Sequence, residues 1–548
     1  MKFNTDEQKI IHIFNDILLI KQEVWNRDSL NKILRKHTKK SGKMFRNDEL
    51  VEHYHLLLEN GKIQKNRVLE ERIRLKPTRT NSGVAVVTVL TKPYPCPGKC
   101  IYCPNDPAMP KSYISSEPGA QRALNNKFDP YAQVYNRIIT LKKIGHNIEK
   151  IELIVLGGTW STYPLDYKIW FVNECFKAMN SINQNSDKYT IPKDRQSSKV
   201  EWTELEANQI LNETSYCRNV GLVFETRPDY ITKDEIILMR KLGATKIQLG
   251  IQNLSNKVLD ANMVGRNTED LKKAFSLLRR AGFKIQGHWM PGLYTSTPSI
   301  DIREYKRLWK KDFCPDELKI YPVSVIQNTT LYELFKKGEY IPYTQKELTS
   351  IIEKHIQMTP RYCRISRIIR DIPSNEIEAG STITNLRQTA EENLKKKGIK
   401  INEIHYREIK GEMVKKEDLQ LETLTYKTSV SKEYFISYKT KKNDKLCAFL
   451  RLSIPKRSFL NNNYIEELNN SSIIREVHVY GPVVGLKYKS LGESQHLGLG
   501  KLLIQKAEQI TKKHRIKKIS VISAVGTRKY YELNGYKKGE LYMHKLLD

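Results

Sequence analysis

Between residues 84 and 323, short apolar runs alternate with amphipathic stretches, and this alternation limits the fold more than any other feature. The runs are Val84–Leu90, Ile151–Leu156, Gly221–Phe224, Thr245–Ile251, Lys284–Gly287 and Leu318–Val323. Val84–Leu90 is broken only by Thr88, as a strand buried on both faces requires; a strand with one wet face would alternate. Between the runs lie helical patterns at Tyr131–Ile144, Leu165–Met179, Lys233–Leu242, Thr268–Ala281 and Ile302–Lys310. Strand and helix taking turns predict a parallel sheet, open or curled into a full or partial barrel. The polar stretch Ser181–Lys199 interrupts the series and reads as an exposed excursion.

The flanks follow other patterns. Residues 1–80 read as short amphipathic helices, such as Asp6–Ile20 and Asp48–Leu58, joined by basic loops. Arg35, Lys36, Lys39, Lys40, Lys43 and Arg46 bunch there, either to grip phosphate or as a solvated charge run. From residue 421 to 548, strand-like runs at Tyr434–Tyr438, Leu446–Ile454 and Ile473–Tyr480 precede a helix from Gly498. A strand at Lys517–Ser523 and a short helix near Arg528 complete a separate α+β unit. Residues 360–420 are basic and mixed and read as a connector, which leaves 81–359 as the α/β core. At 548 residues the chain has room for two or three such units.

Exclusions narrow the setting. No run of eighteen apolar residues is present, so no membrane span is expected. Eight cysteines are too sparse for a disulfide scaffold, and a cytoplasmic setting fits. The formal net charge of +32 suits a polyanionic partner, although lysine enrichment from a biased genome would also produce it.

Cys96, Cys100 and Cys103 stand in C-P-G-K-C-I-Y-C, shortly after the first apolar run. Three thiolates on a short Gly/Pro-rich loop can hold three irons of a [4Fe-4S] cluster and leave the fourth open. An open iron at a barrel mouth can chelate S-adenosylmethionine, and an electron passed to the sulfonium then releases a 5′-deoxyadenosyl radical. Zinc in a structural role would want a fourth ligand, and no Cys or His follows within a dozen residues. The spacing, with an aromatic at Tyr102, is a specific signal for radical enzymes. Gly157, Gly158 and Thr159 follow the next run, where missing side chains let backbone groups approach the methionine amino group. Glu225 to Asp229 ends another run at the same expected barrel face. The remaining cysteines, Cys175, Cys217, Cys314, Cys363 and Cys447, read as buried thiols.

In the last unit, Gln495-His496-Leu497-Gly498-Leu499-Gly500-Lys501 opens an amphipathic helix. Glycines there turn backbone N–H groups toward a pyrophosphate at a helix N-terminus, as in the GNAT-type N-acetyltransferase fold. The run Glu476-Val477-His478-Val479 could hydrogen-bond a pantetheine arm through its main chain. Tyr531, beside Tyr530, stands where that fold places a tyrosine near the thioester sulfur, although adjacent helical tyrosines also serve packing.

With both halves in one chain, the sequence resembles the catalytic third subunit of Elongator and its stand-alone archaeal and bacterial relatives. The resemblance runs through R-T-N-S-G-V-A-V-V-T-V-L-T-K-P-Y-P at Arg79–Pro95, G-G-T-W, F-E-T-R-P-D-Y, H-W-M-P-G-L, D-E-L-K-I-Y-P, R-E-V-H-V-Y-G and G-T-R-K-Y-Y-E-L-N-G-Y. It implies an α/β radical-SAM partial TIM-like (β/α) barrel with an N-terminal helical segment and a C-terminal α+β GNAT domain. It further implies modification of the wobble uridine (U34) of tRNA to 5-carboxymethyluridine, from acetyl-CoA and S-adenosylmethionine. Lys150 resembles a position contacting acetyl-CoA, along with Glu476 to Val479, Leu499 to Lys501 and Tyr531. Lys319 and Tyr321 would face the reaction chamber. Arg361, Arg364, Arg367, Arg370 and Arg387 would suit the phosphates of the anticodon stem-loop.

Two departures stand out. Pro104-Asn105-Asp106 replaces the usual Pro-Gly-Gly, and Lys400–Ile409 lacks a cysteine common in relatives. The second puts a structural zinc in doubt, despite Cys363 and His405. A homodimer or Elongator-like partners are further expectations. The competing readings are a protein lysine acetyltransferase with Glu476 or His478 as base, and a non-catalytic tRNA-binding subunit.

Overall fold

The computed structural model describes residues 5–39, 41–75, 80, 82–183, 200–410, 412, 414–480 and 498–548. Seven strands form the first sheet: β1 (Ala85–Leu90), β2 (Lys150–Leu156), β3 (Arg218–Thr226), β4 (Lys246–Gln252), β5 (Lys284–Trp289), β6 (Glu317–Ile320) and β7 (Arg364–Ile368). They pair in sequence order and all in parallel, and β1 and β7 do not pair with each other. The result is a curled α/β partial barrel, as the alternation predicts. Its crossover helices begin where side chains cap their first turns. Asp129 accepts from Ala132 N, Thr232 from Glu235 N, and Asn267 closes a capping box with Asp270. The apolar runs fill the sheet, with Val87, Leu153, Phe224, Ile247, Ile285 and Leu318 at most 2% exposed.

The four N-terminal helices, Thr5–Leu19, Arg27–Lys36, Asn47–Glu59 and Arg67–Ile73, bury their own core of Ile10, Ile13, Ile17, Leu30, Leu50 and Tyr54. Arg74 and Leu75 tie this layer to the barrel by donating to Gly145 O and Ile144 O, at 2.9 and 3.1 Å. Lys39 pairs with Glu49, and Arg46 with Asp48 and Glu49, so part of the basic bunch is neutralised locally. No described helix is long and apolar enough to cross a membrane.

The second sheet has the order β13-β14-β12-β11-β10-β9-β8. Its strands are β8 (Leu419–Lys427), β9 (Ser431–Thr440), β10 (Leu446–Pro455), β11 (Ser471–Val479), β12 (Lys518–Val521), β13 (Lys537–Lys538) and β14 (Met543–Leu546). Helix Leu499–Lys513 packs on it through Leu503, Ile504 and Ala507.

Residues 360–420 differ from the connector expected. They supply β7, the last barrel strand, and the start of β8. R-I-S-R-I does not look like a buried strand, because its charges are answered only in space. Arg364 Nε donates to Glu408 at 2.7 Å, and Arg367 pairs with Asp371. The other arginines expected to meet phosphate are also engaged: Arg361 with Asp444 and Glu422, Arg370 with Glu117, and Arg387 with Ile365 O and Glu391. The excursion expected at Ser181–Lys199 lies mostly outside the described residues.

Candidate active site, a cavity joining two sheets

Parallel barrels present their loops at the C-terminal ends of the strands, and the cysteine loop follows β1 there. A Cβ added at Gly98 would lie 3.6 Å from Cys96 Sγ and 3.7 Å from Cys100 Sγ, so the loop closes around a residue without a side chain. Hydrogen bonding with Cys103 lowers the Cys100 thiol, helped by Tyr102 and the Arg227 guanidinium. The same bond, with burial, raises Cys103. Thr159 Oγ1 stands 3.7 Å from Cys96 Sγ. Three thiols on one short loop, with no fourth Cys or His there, are a donor set that fits a four-iron cluster with one open iron, although among the described residues no three His, Cys, Asp or Glu side chains are drawn together as metal ligands.

Gly157, after β2, has φ +131°, and a Cβ there would fall 2.0 Å from Thr91 Oγ1. Only glycine fits, which keeps the backbone of Gly157 and Gly158 bare beside the cysteines. Glu225, near the end of β3, reaches His288 Nδ1 of β5 at 3.4 Å. Burial opposes its ionisation, but His288, Lys319 and Arg370 override burial and hold the carboxyl at about 2. Burial in turn lowers His288, with Glu225 opposing. Lys319 Nζ donates to Gln248 at 2.6 Å, and Gln248 also meets His288 Nε2 at 3.0 Å. The ring of Tyr321 stands edge-on to that histidine, 5.7 Å away.

The interior continues downward as a ladder of charge. Lys246 bridges Glu152 at 2.6 Å and Glu317 at 3.3 Å; Lys284 bridges Glu317 at 2.7 Å and Glu476 of the second sheet. Arg451 Nε reaches Glu476 at 2.8 Å. Burial would raise the Glu476 carboxyl, but Lys284 and Arg451 hold it below its ordinary value. The second sheet is therefore the floor of the barrel. A buried knot fastens it: Asp316 accepts from Arg279, Arg475 and Ile285 N, and Arg475 also pairs with Glu433 at 2.8 Å.

Strand β11 explains why the floor is open. It pairs with β12 only from Ser471 to Ile474, while its pairing with β10 continues to Val479 past a bulge at Arg475. Beyond Ile474 the described pairing with β12 ends, so the main chain of Glu476 to His478 has no β12 residue opposite it, which suits binding of an extended arm. Glu476 and His478 share one face of the strand, two residues apart. Helix Leu499–Lys513 begins at Gly498, which is left-handed at φ +67°. A Cβ on Gly500 would lie 3.6 Å from Val479 Cγ2, so the helix N-terminus adjoins the end of β11. Leu499 is buried at 1% exposure, so it could serve a ligand only through its main chain. Gln495, His496 and Leu497 lie outside the described residues.

One continuous cavity of about 1130 Å³ runs from Cys96, Cys100, Tyr102 and Cys103 to Glu476, Val477, His478 and Tyr531. Gly157, Gly158, Thr159, Glu225, Lys319 and Tyr321 line its walls. Lys150 opens β2 beside Arg218, and Gly526 packs against that arginine; Lys150 and Gly498–Lys501 do not line the cavity. Among the described residues, no three His, Cys, Asp or Glu side chains of the 360–420 segment converge as zinc ligands. Cys363 is buried there, and His405 meets Glu408 at 3.4 Å.

Sequence reasoning missed the ladder and His288. Its signal was present: Lys246, Lys284 and Glu317 each occupy the first position of a barrel strand.

Residues 94–299 match the Radical SAM superfamily, and residues 315–396 match the Radical_SAM C-terminal domain. The chain is 40% identical to the tRNA uridine(34) acetyltransferase of Methanocaldococcus jannaschii, over 90% of this chain and 90% of that protein. Elongator complex protein 3 of Saccharomyces cerevisiae is 34% identical, over 88% of this chain and 86% of that protein. The solved structure of Methanocaldococcus infernus Elp3 with an N-terminal deletion is similar at TM-score 0.71 and 36% identity, covering 85% of this chain and 99% of that one.

Proposed function

The chain belongs to the Elongator complex protein 3 family, and on that premise we propose that it is a radical S-adenosylmethionine enzyme that modifies tRNA wobble uridine. The product would be 5-carboxymethyluridine: the acetyl methyl carbon of acetyl-CoA becomes bonded to C5 of the uracil, and thioester hydrolysis leaves a carboxylate. The observation that carries this reading is the single cavity, lined by three cysteines at one end and by Glu476, His478 and Tyr531 at the other. Two separate activities would not need a shared chamber.

A bound [4Fe-4S] cluster would supply the electron for reductive cleavage of S-adenosylmethionine, and with it carbon-radical chemistry. Cys96, Cys100 and Cys103 would hold it. Gly157, Gly158 and Thr159 would present backbone to the methionine moiety, with Tyr102 and Glu225 on the same wall. Acetyl-CoA would enter from below, its pyrophosphate at Gly498–Lys501, its arm along Glu476–Val479 and its thioester near Tyr531, with Lys150 at the rim. Lys319 and Tyr321 would face the uracil of an anticodon stem-loop admitted at the upper mouth. The division into a helical tRNA-binding segment, a barrel and an acyl-CoA unit follows from those roles. A zinc ion has no place in this reading.

The lysine acetyltransferase reading is weaker, because both Glu476 oxygens face cations and the acyl end opens into the barrel. The test incubates anaerobically reconstituted protein with tRNA, S-adenosylmethionine, a reductant and acetyl-CoA labelled in the acetyl group. Label in a carboxymethyluridine nucleoside, absent in Cys100→Ala, is the expected result. Label in protein lysine and none in RNA would overturn it.

A further inference from the structure

The lower end of the cavity presents two candidate bases, and their surroundings differ. Glu476 has Lys284 on one oxygen and Arg451 Nε at 2.8 Å on the other, so its lone pairs are committed and its conjugate acid is strong. A carboxylate clamped in this way is a poor proton acceptor. His478, two residues along the same face, is arranged in the opposite manner. Its Nε2 is buried without a hydrogen-bond partner among the described residues, and the side chain lines the cavity. The ring is fixed between Phe449, stacked at 5.7 Å, and Tyr480, at 4.4 Å. A buried imidazole nitrogen left unsatisfied carries a desolvation cost, the mark of a group kept for something other than packing.

From this geometry we infer that His478 is the general base that hydrolyses the acyl thioester, while Glu476 is a clamp that keeps the floor closed. The inference rests on the function proposed above, which requires a hydrolysis step and assigns it no residue. As a water oxygen bonds to the thioester carbonyl carbon, its proton passes to the His478 imidazole, whose side chain lines the cavity. The C–S bond then breaks, and the coenzyme A sulfur leaves with that proton. The products are a free thiol and a carboxylic acid on the nucleoside, which releases water's second proton to solvent and becomes the carboxylate, with nothing oxidised or reduced. Burial keeps His478 neutral near neutral pH, with Glu476 and Glu408 opposing and Lys284 and Arg364 assisting. The same two carboxylates would balance the imidazolium during the step. Tyr480 completes the surroundings.

The experiment uses two preparations of acetyl-CoA, one labelled in the acetyl carbon and one in the coenzyme A moiety, with the full-length reconstituted enzyme, tRNA, S-adenosylmethionine and a reductant. Wild-type enzyme should leave acetyl label alone on the tRNA. His478→Ala and the near-isosteric His478→Gln should leave both labels in equal amounts, because the unhydrolysed thioester stays attached. Release of coenzyme A should slow at least about a hundredfold, the usual contribution of a positioned base. Because the arm would lie along the main chain of the strand, acetyl-CoA should still bind both variants, as calorimetry without the reductant would measure. In wild type, release should weaken only as pH falls below the ordinary histidine range, because burial holds the imidazole under its usual value. Coenzyme A release at the wild-type rate in both variants would overturn the assignment. So would loss of acetyl transfer with 5′-deoxyadenosine still formed, or loss of acetyl-CoA binding. No acetyl label on RNA with wild-type enzyme is a different signature, and it would sink the underlying function instead.

Discussion

Replacing Asp316 by Asn tests how the two sheets are joined. Asp316 is 0% exposed and takes hydrogen bonds from Arg279 at 3.1 Å, from Arg475 at 2.8 Å on each oxygen, and from Ile285 N at 2.9 Å. Arg451 stands 3.4 Å away. Three buried arginines thus face three buried carboxylates, Asp316, Glu433 and Glu476, and the groups balance. The amide keeps the shape but leaves one cation uncompensated, which costs about 3–5 kcal/mol. Because Asp316 belongs to the barrel and Arg475 to the floor, the loss should appear at their interface. The assay is equilibrium urea unfolding, comparing Asp316→Asn with Asp316→Asn/Arg475→Met. The double variant removes the stranded charge and should recover part of the loss. The Asp316 carboxyl is held far below its unfolded value despite burial, chiefly by Arg279 and Arg475. Its stabilisation is therefore fully present above about pH 5 and fades only as pH falls through the depressed folded value. A single variant within about 0.5 kcal/mol of wild type, the range of a bland surface change, would refute the argument.

Three further outcomes follow from named contacts. Gly157→Ala puts a methyl 2.0 Å from Thr91 Oγ1 on a φ of +131°, so S-adenosylmethionine affinity should drop about tenfold, from roughly 1–3 kcal/mol of strain. Adding Thr91→Ala relieves the clash but not the dihedral, and isothermal titration should show only partial recovery. His355 is 0% exposed, neither ring nitrogen has a partner at normal geometry, and burial lowers it to about 3. The unfolded chain takes up that proton first, so stability should fall as pH drops below about 6.5, by about 2 kcal/mol at pH 5. His355→Phe should remove that slope in urea titrations at several pH values; an unchanged slope would show that the ring is not the cause. Lys284→Met strips the shared cation from Glu317 and Glu476, so it should cost about 3 kcal/mol at neutral pH and less at pH 5, where the carboxylates can protonate. Equal losses at both pH values would show that the pairing is not electrostatic.

The barrel strands were legible because a strand buried on both faces must be apolar, and Val84–Leu90 or Ile151–Leu156 can be little else. The cysteine loop was legible because its chemistry depends on spacing within eight residues. What stayed hidden depends on pairing across the chain. Arg364 in β7 is acceptable in a strand only because Glu408, forty-four positions on, neutralises it. Strand β8 alternates half-buried and exposed residues at the sheet edge, so it carried too little apolar signal. The charges that open three barrel strands were each ordinary in sequence and became a ladder only when the strands lined up. His478 was visible as a candidate, but its advantage over Glu476 depends on Lys284 and Arg451, which lie on different elements.

In the reaction proposed above, the floor of the barrel would also set how often an activated acyl group meets its acceptor. One molecule confined to about 1130 Å³ is present at ~1.5 M, far above any dissolved thioester. Capture by the uracil therefore competes with escape as an intramolecular event. Diluting the enzyme should not change how many cofactor cleavages end in a modified nucleoside. Cutting the chain between the sheets should uncouple the two counts, even if both fragments keep their shape.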